Sequence, residues 1–315
     1  MSRVLEFEPG VTAESTSRLA RSAVWRVLKD RPSAAFGAVV IVVLVTVAVF
    51  APFIAPTGVH ERIGPPFGTP VEYPPLGLDD GGISILTLLI YGARISLTVG
   101  FAATLVAILI GGTVGVTAGY FGGGLDTFLM RTTDYFLAIP DVPLMIVIAA
   151  IWGPSLFHII MVIGLLLWTS TARIVRSQVQ SVRERVYVKR ARAQGATNRR
   201  IVFRHVLPQV APLLIANTVL TIAVAIFDET ALAFLGLSDP SKTSWGKMIY
   251  NAVESSAMSA GAWWAIVPPG ICVAVLVLAC TLVGQAMEDS LNPRLRVAHL
   301  AAKGFRLMPR MTEPS

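Results

Sequence analysis

The sequence predicts an all-α integral membrane protein with six membrane-spanning helices and both termini in the cytoplasm. Three observations predict it. Of 315 residues, 54% are hydrophobic and only 14% charged, with a mean hydropathy of +0.67; soluble domains carry about 25% charged residues. The apolar residues gather into runs long enough to cross a hydrocarbon core of about 30 Å. The cations concentrate in segments that alternate spans place on one side of the membrane.

The first span is expected over 34–55, with no small-residue cleavage signal after it, so it reads as a retained span. The second covers 94–119 and ends in GYFGGG. The third, 126–152, is the weakest, because Arg131, Asp134, Pro140, Asp141 and Pro143 interrupt it; the prolines imply a kink or break. The fourth, 155–172, is near the short limit for a span. The fifth covers 209–235 and the sixth 264–287.

Lys and Arg orient these spans by the positive-inside rule. Six lie in 1–33, ten in 172–208 and five in 291–315, against Arg62 alone in 56–90 and Lys242 and Lys247 in 236–263. The first three segments are therefore expected in the cytoplasm and the last two outside. Arg94 and Arg131 fall near span ends, where a long side chain can snorkel. The net charge of +7 thus reports membrane orientation, not nucleic-acid binding.

Two external segments are long. Residues 56–90 are rich in proline and contain PPLGLDDGG; residues 238–262 carry Trp245, Met248, Ile249 and Val253 at helical spacing, which predicts a short amphipathic helix at the interface or against the bundle. Cys272 and Cys280, eight residues apart in one apolar run, are separated by about 12 Å of helix rise, too far for a disulfide. Histidines 60, 158, 205 and 299 are scattered. No metal-ligand set, Walker A sequence, G-x-S-x-G elbow or H-E-x-x-H pair occurs.

The basic segment between the fourth and fifth spans carries the most information. Residues 182–193 read as a helix. Gly195 can take positive φ and end it. Thr197 can cap a second short helix, with Ala196 and Ile201 as a hydrophobic staple, and Pro208 stands where the next span begins. A helix, a glycine turn and a helix make a rigid cationic knob suited to docking a soluble partner.

The chain resembles the second, C-type permease subunit of the dipeptide, oligopeptide and nickel ABC importer family. The resemblance runs from about residue 32 to 294. It is carried by IYGARISLTVG (90–100), GYFGGGLD (119–126), MRTTDYFLAIPDVPL (130–144), ARIVRSQ (172–178), the ARAQGA loop, ETALAFLGL (229–237), SWG (244–246) and EDSLNPR (288–294). It implies the type I ABC importer permease architecture in a bacterial cytoplasmic membrane. The expected partners are a second homologous permease, two cytoplasmic ATPase subunits or domains and an external solute-binding protein. It implies no cofactor or metal in this chain; ATP and Mg belong to the partner ATPases. The expected domains are an N-terminal cytoplasmic segment (1–33), a permease domain (34–290) with its coupling loop at 173–208, and a cytoplasmic tail (291–315).

The same resemblance makes Ala191, Ala193 and Gly195 coupling residues toward the ATPase, with Arg185, Lys189, Arg190, Arg192 and Arg199 as flanking contacts. The sequence departs from the family in two places. Lys189-Arg190-Ala191 stands where the family has Glu-Ala-Ala, and LGLDDGGIS (76–84) where it has L-G-T-D-x-x-G-R-D.

In the fifth span, Asn217, Thr221 and Asp228 fall within about 40° of a helical wheel, with Thr218 and Glu229 alongside. Polar groups are costly in lipid, so this sector is expected to face the bundle or the solute path. Asp228 and Glu229 have two readings, a gate or cationic-solute contact and a structural carboxylate bonded to a neighbouring helix. Arg131 and Asp134, one turn apart, are expected to form a buried structural pair. A peptide permease is the favoured function; a nickel-chelate or glutathione-like solute is the runner-up. A channel or secondary transporter leaves the docking loop without a purpose. A membrane enzyme fits least, because adjacent acids on a helix point about 100° apart and no nucleophile accompanies them.

Overall fold

The computed structural model describes residues 31–55 and 58–291. Almost all of the 291–315 tail and of the 1–33 segment therefore lies outside the described residues. The chain folds as α1 (Pro32–Val49), α2 (Ala51–Ile54), α3 (Ile85–Phe121), α4 (Gly123–Ala138), α5 (Asp141–Trp152), α6 (Leu156–Arg183), α7 (Val186–Ala193), α8 (Asn198–Ile201), α9 (Leu207–Phe234), α10 (Trp245–Glu254) and α11 (Val267–Leu291). Five helical stretches are long and apolar enough to cross a membrane, and the bent pair α4/α5 makes six.

The centre of the bundle is the α3–α6 pair, its most extensive helix contact. Gly111, Gly115 and Gly119 recur every four residues on one face of α3. They abut the backbone of α6 at Trp168, Ala172 and Arg176: a Cβ on Gly115 would lie 2.6 Å from the Ala172 carbonyl oxygen, and one on Gly119 2.8 Å from that of Arg176. Further along the same pair, a Cβ on Gly164 would lie 2.9 Å from the Ala103 carbonyl oxygen. Small residues let backbones approach where lipid supplies no hydrophobic drive between helices. Around this pair α9 packs on α3, α6 and α11, and α1 packs on α11 and α3. Arg31 and Asp289 close the start of α1 onto the end of α11 at 2.7 Å.

The second span starts at Ile85, nine residues before the expected 94 and inside the 56–90 segment expected as a loop, and runs to Phe121; the third and fourth also differ from expectation, for identifiable reasons. The third is two helices meeting at 85°. Ile139 is extended (φ −90°, ψ 130°), as a residue before proline tends to be, and Pro140 caps α5. The fourth runs on to Arg183 and is 28 residues long. Its apolar run stops at Arg173, but the helix does not, because α4 supplies carboxylates. Arg176 makes a two-pronged pair with Asp126 (Nη2 to Oδ2, 2.7 Å) and Arg173 donates to Asp134 at 2.6 Å. Asp134 thus finds its partner across helices, and the expected local pair with Arg131 does not form; Arg131 is exposed.

At one end of the bundle the 58–84 loop and α10 cover the first turns of α3. Trp245 Nε1 donates to the Leu89 carbonyl oxygen at 2.9 Å and Trp264 Nε1 to that of Leu78 at 3.2 Å. Asp79 Oδ1 accepts from the Gly81 and Ile83 amides at 2.9 and 2.7 Å; burial raises its carboxyl above the ordinary aspartate range. The amphipathic helix expected near 245–253 is α10. It lies against the bundle, with Trp245 and Met248 buried and Val253 exposed. Cys272 and Cys280 are both free.

The glycine stripe gives a test. Gly115→Leu drives a side chain into the α6 backbone. We expect an overpacking cost of about 1–3 kcal/mol, read as a lower melting temperature and yield of the purified complex. Gly112→Leu, on a face with nothing within 4 Å, should melt like the parent, and equal melting of both variants would discount the stripe.

Candidate functional site

The basic segment forms at the end of the bundle opposite the 58–84 loop. The helix expected over 182–193 is broken. α6 stops at Arg183, Arg185 is extended (φ −64°, ψ 143°) and α7 starts at Val186. The apolar residues explain the turn. Val182 and Val188 both pack in the cluster of Val175, Val179, Ile201, Val206 and Val210; on one continuous helix they would point about 120° apart. Gly195 ends α7 at φ +78°, and Thr197 Oγ1 accepts from the Arg200 amide at 3.4 Å to cap the next turn. Ala196 and Ile201 share the apolar cluster.

α8 is not a separate helix that stops before the fifth span. It runs through a π turn (Val202–Val206) into α9, and Asn198–Phe234 counts as one 37-residue helix. A π turn is a local widening of the helix. Here it stands directly ahead of Pro208, whose ring nitrogen has no hydrogen to donate.

Residues that sequence reasoning did not single out pin this segment to the bundle. Tyr120, 3% exposed, ends α3 inside the valine cluster. Its hydroxyl donates to Asn198 Oδ1 at 2.8 Å, and the Arg192 guanidinium lies 5.7 Å from its ring centroid. Arg183 Nη1 donates to the Tyr120 carbonyl at 2.9 Å, satisfying an end carbonyl of α3 that no helical amide reaches. The GYFGGG motif contains Tyr120, but its partner Asn198 lies 78 residues away.

Of the predicted coupling residues, Ala191 packs against the valine cluster. Ala193, Gly195, Arg185, Lys189, Arg190, Arg192 and Arg199 are exposed on the segment's outer surface. Lys189, standing where the family has Glu, meets Glu184 at 2.9 Å. That hydrogen bond is the main reason the Glu184 carboxyl sits below the ordinary glutamate range. Part of the new charge is therefore answered inside the chain, while Arg190 adds an exposed cation.

The polar sector of α9 turns inward. Asn217 Nδ2 donates to Thr171 Oγ1 on α6 at 3.1 Å, and Thr221 Oγ1 donates to the Asn217 carbonyl at 2.9 Å. Glu229, 1% exposed, accepts from Ser96 Oγ at 3.1 Å, and Ser96 Oγ in turn accepts from the Trp245 amide at 3.3 Å. This relay ties α9, α3 and α10 together. Asp228 differs. It is 5% exposed, and its Oδ2 has no hydrogen-bond partner among the described residues. It lies one turn from Ala225 and Leu232, which belong to the apolar cluster of Val99, Met145 and Ile163. Asp228 and Glu229 are therefore not a matched pair.

An all-α bundle with five or six candidate membrane spans among the described residues and a basic segment at one end has the architecture of a helical membrane subunit. Residues 111–297 match the family described as binding-protein-dependent transport system inner membrane component, and the chain belongs to that family. Residues 21–66 match the N-terminal TM domain of oligopeptide transport permease C. The chain is 36% identical to the dipeptide transport system permease protein DppC of Alkalihalophilus pseudofirmus, over 85% of this chain and 88% of that protein. It is 33% identical to DppC of Bacillus subtilis, over 92% of that protein and 93% of this chain. It is 31% identical to the oligopeptide transport system permease protein OppC of Bacillus subtilis, covering 92% of this chain and 97% of that protein. Among solved structures, a chain of the MetNI methionine ABC transporter in inward-facing conformations is similar at TM-score 0.49 and 19% identity, covering 65% of this chain and 99% of that one.

The two acids give contrasting expectations. Glu229→Leu leaves the Ser96 hydroxyl without its buried acceptor, at a cost of about 1–3 kcal/mol. The melting temperature of the purified complex should fall. Asp228→Asn removes no hydrogen bond from Oδ2 and replaces a buried, unpaired carboxyl with a neutral side chain of the same size, so the melting temperature should not fall below the parent's. Equal destabilisation by both would mean that Asp228 is also structural.

Proposed function

We propose that this chain is the permease subunit of an ATP-driven importer of di- or oligopeptides. It would work with a second homologous permease, two ATPase subunits or domains that carry ATP and Mg, and an external solute-binding protein. The peptide reading is supported by relatives whose names are dipeptide and oligopeptide permeases, at 31–36% identity over most of the chain. A nickel chelate or a glutathione-like solute stands behind it. Both termini and 173–208 are assigned to the cytoplasm, and 56–90 and 236–263 to the outside, by the distribution of Lys and Arg.

One observation carries the coupling mechanism, the unbroken path from the docking segment into the spans. Closure of the ATPase dimer would push on 185–200. Asn198–Phe234 counts as one helix through its π turn, so the push enters the fifth span with no loop between. Tyr120 bonds Asn198 to α3, and Arg183 bonds α6 to the same turn. The three helices would then rock together and switch the cavity between its two openings. Asp228, buried and unpaired at Oδ2, is the proposed contact for a cationic group of the solute or a gate. Asn217 and Thr221 line the same sector. The chain itself performs no bond chemistry in this scheme.

Orientation and coupling are tested separately. A cysteine at Ser181, in the exposed end of α6, should resist a membrane-impermeant thiol reagent added to intact cells and react once the membrane is opened. Ready labelling from outside would invert the assignment. For coupling, an added side chain at Gly195 meets nothing within 4 Å, so Gly195→Val is strained by its φ of +78° alone, at about 1–3 kcal/mol. We expect purified Gly195→Val complex either to lose its ATPases or to hydrolyse ATP without moving peptide into proteoliposomes. Normal assembly and normal transport would remove the glycine turn from the mechanism.

A further inference from the structure

α3 carries an arginine that no part of the transport scheme uses. Arg94 is exposed, and its guanidinium has no ion pair or hydrogen bond among the described residues. It stands in a groove of about 590 Å³ between α1 and α3, lined also by Thr98 and by apolar side chains, Val45, Val49, Leu97, Phe101 and Leu105 among them. The groove opens away from the bundle, with Val49 and Leu105 about three-fifths exposed.

Its depth is set by neighbours. The first turns of α3 are covered by the 58–84 loop and by Trp245, and Gly92 packs directly on the Trp245 ring. One turn before Arg94, the Tyr91 hydroxyl donates to the Ala55 carbonyl at 3.3 Å, just past the end of the first span. Arg94 therefore emerges where loop cover ends and the lipid-facing surface begins, level with the end of α1. Arg94 shares the groove with Val45 and Val49 at the end of the apolar span Pro32–Val49, the position from which an arginine reaches headgroup depth. From Arg94 to Leu105 the groove runs eleven residues, about 16 Å along the helix axis, comparable to half of a hydrocarbon core of about 30 Å.

We propose that this groove is a phospholipid-binding site. Arg94 would hold the phosphate through its planar fork of donors, and one acyl chain would lie against Leu97, Phe101 and Leu105 on α3 and Val45 and Val49 on α1. The lipid answers a cation that the chain leaves unpaired. It also fills the cleft between the peripheral first span and the bundle. Which leaflet supplies the lipid follows the orientation proposed above; the site itself does not depend on it. A helix of the second permease subunit is the competing occupant.

The test uses the full transporter complex, reconstituted with phosphatidylglycerol and phosphatidylethanolamine and analysed by native mass spectrometry. Wild type should retain phospholipid. Arg94→Gln should weaken that retention about tenfold, the loss expected for a charge-assisted hydrogen bond, and Leu105→Trp, which fills the groove, should do the same. Both variants should keep their ATPase partners and basal hydrolysis. A photo-crosslinker at Phe101 should capture phospholipid. Equal lipid retention in all three complexes, displacement of the lipid by inorganic phosphate, or a Phe101 crosslink to the second permease subunit would each overturn the site. None of these readouts depends on the identity of the transported solute.

Discussion

The backbone contact between α3 and α6 is the constraint on which the rest of the bundle depends. In lipid, apolar side chains gain nothing by meeting one another rather than acyl chains, so helices associate through close packing and polar contacts. Three glycines at four-residue spacing let α3 lie directly on the α6 carbonyls. That contact sets the register of α6, and the register places Arg173 and Arg176 opposite Asp134 and Asp126 on α4. It also brings Arg183 to the last carbonyls of α3. The arginines that made the fourth span look short are thus the groups that extend it.

The basic segment inherits its rigidity from the same arrangement. A basic loop that only fixed topology would need no internal structure. Here it has an apolar floor of valines, a glycine turn, a threonine cap, and a tyrosine from another helix hydrogen-bonded to its second half. Its outer surface carries the cations. Replacing the family's Glu with Lys189 changes that surface less than the charge count suggests, because Glu184 pairs with the lysine. Arg190 and Arg199 stay exposed.

At the opposite end the polar groups divide by environment. Glu229 is absorbed into a relay through Ser96 to the backbone of α10, so it anchors α10 on the bundle. Asp228, one residue earlier, is buried with its Oδ2 unbonded among the described residues, one turn from the apolar Ala225 and Leu232. Neighbouring acids on a helix face different surroundings because the helix rotates about 100° per residue.

Some of this is legible in the one-dimensional chain. Hydropathy locates the spans because lipid demands long apolar runs. The pair Pro140 and Pro143 marks the break in the third span because proline ends a helix through its own ring. Gly195 and Thr197 mark the turn and cap because those residue types act within three or four positions of themselves. Motifs at matching spacing pointed to the permease family without any structure. What the sequence by itself could not determine are the contacts between distant positions: Asp134 with Arg173 rather than Arg131, Tyr120 with Asn198, Glu229 with Ser96, and the turn at Arg185 that returns Val188 to the valine cluster. Each depends on which faces of two helices meet. That is decided by how closely their backbones pack, and only the tertiary structure sets that distance.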